Sequence, residues 1–216
     1  TFAKQSSVPA LRLALSQPTA PDFMVQPGAP RFWKGARDMS TDTGKVVVNR
    51  AMSLDGFIAG PGHTMDWIFD FLTADAFPEV MAATGAMLIG RGTYEVAKQM
   101  ADEERNYEGG AEFVLTHEPP DKPDPNVTFL TCDIAEAVAT ALSAAGGKNL
   151  EILGADLASQ CLQRGLVDEI LVYVLPVLLG DGVRFSTPTL RRIDLEPFSN
   201  TQSGAVTMLR FRVPRA

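Results

Sequence analysis

Short apolar runs, separated by glycine and proline, divide the chain from Lys45 onward into alternating strands and helices. Runs of β-branched residues predict buried strands, whereas apolar residues spaced three or four apart predict helices. The runs predict strands at 46–48, 86–89, 113–116, 127–130, 150–153, 170–179 and 206–213. Strands that alternate with helices favour an α/β fold with a mainly parallel sheet covered on both faces. The last strands follow one another without a helix, which predicts an antiparallel C-terminal end.

The predicted helices begin at capping residues or at glycine turns. Asp75, Thr93 and Asp133 are expected to cap helices that run through about residues 84, 99 and 145. Gly154 begins the turn into a further helix. The glycines and proline of residues 52–64 predict a long mobile loop.

Residues 1–44 differ from the rest of the chain because five prolines interrupt an Ala/Ser/Gln-rich stretch. This composition predicts an N-terminal extension without its own core, and residues 45–216 form the folded domain. Met39 is an alternative natural start, which would make residues 1–38 upstream sequence. The other interpretation is an arm that lies on a partner subunit.

Charge and composition exclude several classes of function. The net charge of −7 argues against nucleic-acid binding, which usually needs a basic face. Two histidines and two cysteines, with no motif that joins them, argue against a metal site. Two thiols without a pairing motif favour a reducing, cytoplasmic compartment. The longest apolar run, residues 170–179, is about half a membrane span, so no transmembrane segment is expected.

Two junctions have the form strand, glycine, helix start. At Gly90–Thr93, backbone amides and Arg91 suit a phosphate. A plain turn with a surface arginine would have the same sequence pattern and is the alternative interpretation. At Gly154–Asp156, small residues allow a diphosphate to approach the backbone, but the Asp156 carboxylate would repel it unless it caps its own helix. The chain contains neither a G-x-G-x-x-G motif nor a P-loop.

Four sequence blocks in order resemble one known family. They are AMSLDGFIA at 51–59, IGRGTYE at 89–95, LGADL at 153–157 with GLVDE at 165–169, and PVLLGDG at 176–182. This set resembles the dihydrofolate-reductase-like superfamily, in particular its RibD C-terminal (deaminase-reductase) branch. The resemblance implies a three-layer α/β/α dihydrofolate-reductase-like fold for residues 45–216.

The resemblance also implies that ten residues hold NADPH. Backbone groups of the first block flank the nicotinamide, and the glycine turns present amides to the phosphates. Arg91 stands where relatives hold the adenosine end, and a cation there favours the 2′-phosphate of NADPH over NADH. The ten residues are Ala51, Ile58, Gly90, Arg91, Thr93, Thr116, His117, Gly154, Ala155 and Leu157.

The substrate side departs from the riboflavin-pathway enzymes that the chain resembles. Asn49 stands where those enzymes have a lysine, and residues 65–71 are acidic and aromatic where they have arginines for a phosphoribosyl group. Trp67 is a candidate wall for a planar substrate or a core residue. Asp75 is the first candidate for the proton donor, with helix capping as its alternative role, and Asp66 is the second.

These features together predict an NADPH-dependent reductase that passes hydride to a pterin-like, pyrimidine-like or other planar heterocycle. The chain lacks the His/Cys cluster of a zinc deaminase half. The rival functions are the riboflavin-pathway 5-amino-6-(5-phosphoribosylamino)uracil reductase, dihydrofolate reductase, and an enzyme with flavin or deazaflavin in place of NADPH. A non-catalytic ligand-binding or interaction protein is the rival of another class. A homodimer is expected from the apolar run at 170–179 and from the pairing of relatives.

Overall fold

Eight strands form one mixed sheet in the computed structural model, which describes residues 44–72, 78–99 and 110–215. Their order across the sheet is β5-β4-β3-β6-β1-β7-β10-β9, and a separate pair joins β2 to β8. β1 and β3–β7 run parallel, while β10 is antiparallel to β7 and β9 to β10. The strands are β1 Val46–Ser53, β2 Phe57–Ala59, β3 Thr84–Gly90, β4 Ala111–Leu115, β5 Val127–Leu130, β6 Asn149–Leu153, β7 Glu169–Leu175, β8 Val183–Arg184, β9 Glu196–Ser203 and β10 Val206–Arg212.

Helices cover both faces of this sheet. They are α1 Pro78–Ala83, α2 Arg91–Ala97, α3 Ile134–Ala144 and α4 Ala155–Gln163, with 3-10 turns at Pro61–His63 and Asp66–Ile68. On one face, α3 and α4 pack on Val48, Leu88 and Ile152. On the other, Ile68 and Val80 pack with Leu171. The predicted α/β architecture, with its mainly parallel sheet and antiparallel end, is confirmed.

A side-chain cap marks the start of helix α3 but not of helix α2. The Asp133 carboxylate accepts a hydrogen bond from the Ala135 amide at 2.8 Å, as the sequence predicts. Helix α2, in contrast, begins at Arg91 after the extended residue Gly90, without a side-chain cap. The expectation that Thr93 caps this helix is therefore wrong, because Thr93 already lies in the first turn.

Two predicted boundaries are also wrong. The segment predicted as a mobile loop at 52–64 contains the end of β1 and the whole of β2. The strand predicted at 170–179 ends at Leu175, because Pro176 has no N–H to continue the ladder. Strand β9 was not predicted; its eight residues, EPFSNTQS, are almost all exposed at the sheet edge and carry no apolar alternation.

Burial explains the apolar character of β7. This strand lies inside the sheet between β1 and β10, and five of its seven residues are buried. β7 itself therefore needs no partner subunit to cover it, although Leu178 in the same apolar run is 69% exposed, and the homodimer stays a prediction. Residues 1–43 and Asp75 lie outside the described residues, so the N-terminal extension also stays a prediction. Within the described segments, no helix has the length and apolarity to cross a membrane.

Candidate functional site

A cleft of about 1300 Å³ opens at the carboxyl ends of the parallel strands β1, β3, β4 and β6. It forms where two neighbouring strands diverge. Pairing between β1 and β6 stops at Val48 and Ile152, whereas β1 continues along β7 as far as Ser53. Crevices of this kind, outside the carboxyl ends of strands, are where open α/β sheets bind ligands.

All ten residues assigned to the cofactor by resemblance line this cleft. They come from the end of β1, from β2, and from the segments after β3, β4 and β6. The ten are Ala51, Ile58, Gly90, Arg91, Thr93, Thr116, His117, Gly154, Ala155 and Leu157. The fold thus brings positions up to about 100 residues apart in sequence to one edge of the sheet.

The two glycine turns pack directly against each other. Gly154 has φ of 94°, and a Cβ placed on it would lie 2.6 Å from Thr93 Oγ1. Only glycine suits that conformation at that distance. A Cβ on Gly92, by contrast, would meet nothing within 4 Å, so a ligand has room to approach this backbone. The turns therefore bring small residues together at the mouth of the cleft. The Asp156 carboxylate also lines the cleft, and it accepts from the Gln160 side chain at 2.8 Å and does not cap α4.

Arg91 already has partners at the other end of the cleft. Its Nε donates to Glu95 Oε1 at 2.6 Å, and its Nη1 donates to the Glu118 carbonyl at 2.8 Å. The Thr116 hydroxyl donates to the same carbonyl at 3.0 Å. Arg91 and Glu95 are both less than half exposed. Any anion bound here competes with Glu95 for the guanidinium, which the sequence did not reveal.

Two polar residues, Asn49 and Glu151, lie on the floor of the cleft. Asn49 lines it, and the buried Oδ1 of Asn49 has no hydrogen-bond partner within the described segments. The Tyr173 side chain hydrogen-bonds that of Asn49. Glu151 is only 4% exposed, lines the cleft and accepts a hydrogen bond from Thr84 Oγ1 at 2.6 Å. Glu151 was missed because a polar residue inside an apolar run says nothing about which face it occupies.

Arg50 is the second functional candidate that sequence reasoning missed. It lines the cleft and is 7% exposed. The signal was present in the sequence, since a charged residue stands two positions after the run of β-branched residues that predicts β1. A buried charge needs a specific reason.

The loop beside the cleft is fastened across the fold. Ser53 Oγ donates to Asp55 Oδ1 at 2.6 Å, and the Asp55 carboxylate also accepts from the amides of Leu179 at 3.1 Å and Gly180 at 2.7 Å. These bonds, the one from Ser53 first, lower the pKa of Asp55 to about 2. Asp55 therefore ties its own turn to the segment after β7.

Two further predicted residues, Asp66 and Trp67, do not line the cleft. Asp66 is exposed and is not among the lining residues. Trp67 is half-buried, and its indole N–H donates to the Thr64 carbonyl at 3.3 Å, so the structure places it in the packing below the cleft. Asp75 lies outside the described residues. Within the described segments, no group of three or more His, Cys, Asp or Glu residues is arranged to hold a metal ion.

A family model and a curated relative each match most of this chain. The family described as "RibD C-terminal domain" matches residues 44–208. The uncharacterized protein YwjB of Bacillus subtilis (strain 168) is 28% identical over 170 residues, which are 77% of this chain and 97% of YwjB.

Solved structures share the fold. One, from Shewanella sp. PV-4 and named for riboflavin biosynthesis, has a TM-score of 0.66 at 23% identity, covering 79% of this chain and 99% of that one. Another is the diaminohydroxyphosphoribosylaminopyrimidine deaminase/5-amino-6-(5-phosphoribosylamino)uracil reductase of Thermotoga maritima, with a TM-score of 0.58 at 16% identity. The match covers 80% of this chain and 57% of the Thermotoga maritima chain.

Proposed function

We propose that this chain, which belongs to the RibD C-terminal domain family, is an NADPH-dependent reductase of a small planar heterocycle. The observation that supports this most is the convergence of the ten resemblance-assigned residues on one cleft. Its volume of about 1300 Å³ is above the usual range for small-molecule sites, so it has room for a dinucleotide and a substrate side by side.

The cleft fits a dinucleotide by shape as well as by residue type. Gly92 leaves its backbone open, and the positive φ of Gly154 presents a turn without a side chain. A diphosphate can therefore approach both turns closely enough to accept hydrogen bonds from backbone amides. We assign the nicotinamide to the Ala51 and Ile58 end and the adenosine to the Arg91, Thr116 and His117 end.

The chemistry follows from this placement. NADPH, when bound, supplies the hydride. The chain's own part is to orient the two rings and to exclude water, and the tethered β1–β2 segment beside Ile58 suits that part. Asp75 stays the predicted proton donor. Asp66 loses its support, because an exposed carboxyl outside the cleft lining has no route to the substrate in this conformation.

The floor of the cleft favours a substrate without a phosphoribosyl group. The buried Oδ1 of Asn49, which has no hydrogen-bond partner within the described segments, can accept from a substrate N–H once the side chain turns toward the cleft, whereas a phosphate offers it no donor. The Glu151 carboxylate on the same floor repels anions. We therefore prefer an N–H-bearing, unphosphorylated pyrimidine-like or pterin-like ring to the riboflavin-pathway intermediate.

Titration of the full chain with NADPH and NADH tests the proposal. We expect protein fluorescence to be quenched, with energy transfer to the bound reduced nicotinamide and tighter binding of NADPH than of NADH. Absence of binding at millimolar concentrations of both would overturn the proposal and favour the interaction-protein alternative. Binding of a flavin or deazaflavin in their place would keep the fold and change the cofactor.

A further inference from the structure

A buried cation, Arg50, contacts the Gly154 turn. Arg50 is 7% exposed and lines the cleft, yet no carboxylate forms an ion pair with it in the part of the chain that the structure describes. Removing a guanidinium from water is costly unless compensating contacts are made. A fold gains nothing from such a charge when an apolar side chain of similar volume fills the space.

The partners of Arg50 show what the charge does. Pairing between β1 and β6 ends at Val48, and Arg50 spans the gap that opens beyond it. Its Nη1 donates to the Asn49 carbonyl at 2.6 Å, and its Nη2 donates to the Gly154 carbonyl at 3.2 Å. Both partners are neutral backbone oxygens, so they hold the guanidinium in place without pairing its charge. The charge of Glu151 also acts on the guanidinium and favours its protonated form.

Arg50 therefore orients the turn that begins α4. The Gly154 carbonyl accepts from Arg50 on one side and from the Ala158 amide at 3.0 Å on the other, and it cannot rotate without breaking both bonds. Ala155 and Leu157, in the first turn of the nine-residue helix α4, line the cleft, and the amides of a first turn have no partner within the helix. Arg50 lines the same cleft and brings its positive charge to this turn.

We propose that Arg50 is a positioning residue that turns the Gly154 segment into a diphosphate-binding site, by fixing the turn and by bringing a buried positive charge to it. The identity of the ligand as a dinucleotide rests on the proposed function. The anion preference itself rests on the buried cation, on its two carbonyl contacts and on the cleft that it lines.

The charge persists under physiological conditions. Burial lowers the pKa of Arg50 to about 10, which the field of Glu151 partly opposes. The guanidinium is therefore still protonated at neutral pH.

The test compares three variants of the full chain. Arg50→Met removes the charge and keeps the volume, whereas Arg50→Lys keeps the charge but cannot bridge both carbonyls. Arg192→Met is the matched control, because this exposed arginine forms an ion pair with Asp194 and lies outside the cleft lining. The ligands are NADPH and inorganic pyrophosphate, and the melting temperature of each variant is recorded.

We expect Arg50→Met to weaken both ligands about 10- to 100-fold, the range for a lost charged contact. Arg50→Lys should lie between this variant and the wild type, and Arg192→Met should bind as the wild type does. The melting temperature of Arg50→Met should be unchanged or higher, because replacing a buried charge by an apolar group is often stabilising.

The outcomes separate this proposal from the function. Wild-type chain that binds pyrophosphate but not NADPH, with loss in Arg50→Met, would refute the proposed function and support the anion site. Equal affinity of wild type and Arg50→Met for both ligands would overturn the Arg50 proposal and leave the function standing. Unfolding of Arg50→Met with normal Arg50→Lys binding would assign Arg50 a purely structural role. A wild type that binds neither ligand would refute both.

Discussion

Arg91 makes contacts within the protein and is also the residue that we assign to the 2′-phosphate. Its guanidinium is fixed by Glu95 and by the Glu118 carbonyl, so it is oriented before any ligand arrives. Preorganisation lowers the entropy cost of binding, but the Glu95 carboxylate competes with an incoming phosphate. The net gain from binding a 2′-phosphate is therefore the energy of the phosphate contact minus that of the lost Glu95 contact. It is smaller than the gain from an arginine without such a partner.

Replacing Arg91 with Ala should weaken NADPH about 10- to 100-fold while changing NADH by less than about threefold, since only NADPH carries the 2′-phosphate. Lys98→Ala is the control, because Lys98 also lines the cleft and contacts Glu95, at 3.8 Å. Dissociation constants from fluorescence titration give the comparison. Equal losses for NADPH and NADH would refute the 2′-phosphate assignment.

At the level of elements, the β1–β2 turn and the β7–β8 connection behave as one unit. The Asp55 carboxylate links them, the Leu54 amide donates to the Val177 carbonyl at 2.9 Å, and β2 pairs with β8. A Cβ on Gly182 would lie 2.1 Å from the Ala59 carbonyl oxygen, so the two segments touch through backbone. The loop that the glycines predict as mobile is therefore anchored at its base.

Acid should release this anchor. The pKa of Asp55 is about 2 in the folded chain against an ordinary 3.8, so its stabilising contribution is complete above about pH 4 and is lost as pH falls toward 2. We expect Asp55→Asn to be less stable than wild type at pH 7 and the gap in the free energy of unfolding to close between pH 4 and pH 2. Urea unfolding across this range measures it.

Asp194→Asn serves as the comparison for Asp55→Asn, because the Asp194 carboxylate is exposed and pairs with the exposed Arg192. Its effect on stability should be small throughout. A gap between wild type and Asp55→Asn that stays constant from pH 7 to pH 2 would show that the Asp55 carboxylate is not the titrating anchor.

At the level of the whole molecule, one topological feature creates the cleft. Strands β1 and β6 separate beyond Val48 while β1 stays paired to β7, and the segments following β3, β4 and β6 line the space that opens. The two closing strands, β10 and β9, lie at the opposite edge of the sheet and take no part in the cleft lining. Their antiparallel hairpin instead buries one side of β7.

The oligomeric state is a property of this scale as well. We predict a homodimer, and the prediction rests on the resemblance of the chain to paired relatives. Strand β7 does not support it, because β7 is covered within its own sheet. Light scattering over a range of concentrations should give twice the mass of one chain. A mass of one chain at every concentration would refute the dimer.

The sequence by itself determined the alternation of strands and helices, the parallel sheet and the turns at Gly90 and Gly154, because hydrophobic period, capping and glycine preference are local properties. It did not reveal β9, which has no apolar face, or the β2–β8 pair, which is held by contacts over 100 residues apart in sequence. Only the tertiary structure decided that Glu151 and Arg50 line the cleft and that Asp66 does not. The face on which a side chain lies depends on the register of neighbouring strands, and that register is set by packing across the whole sheet.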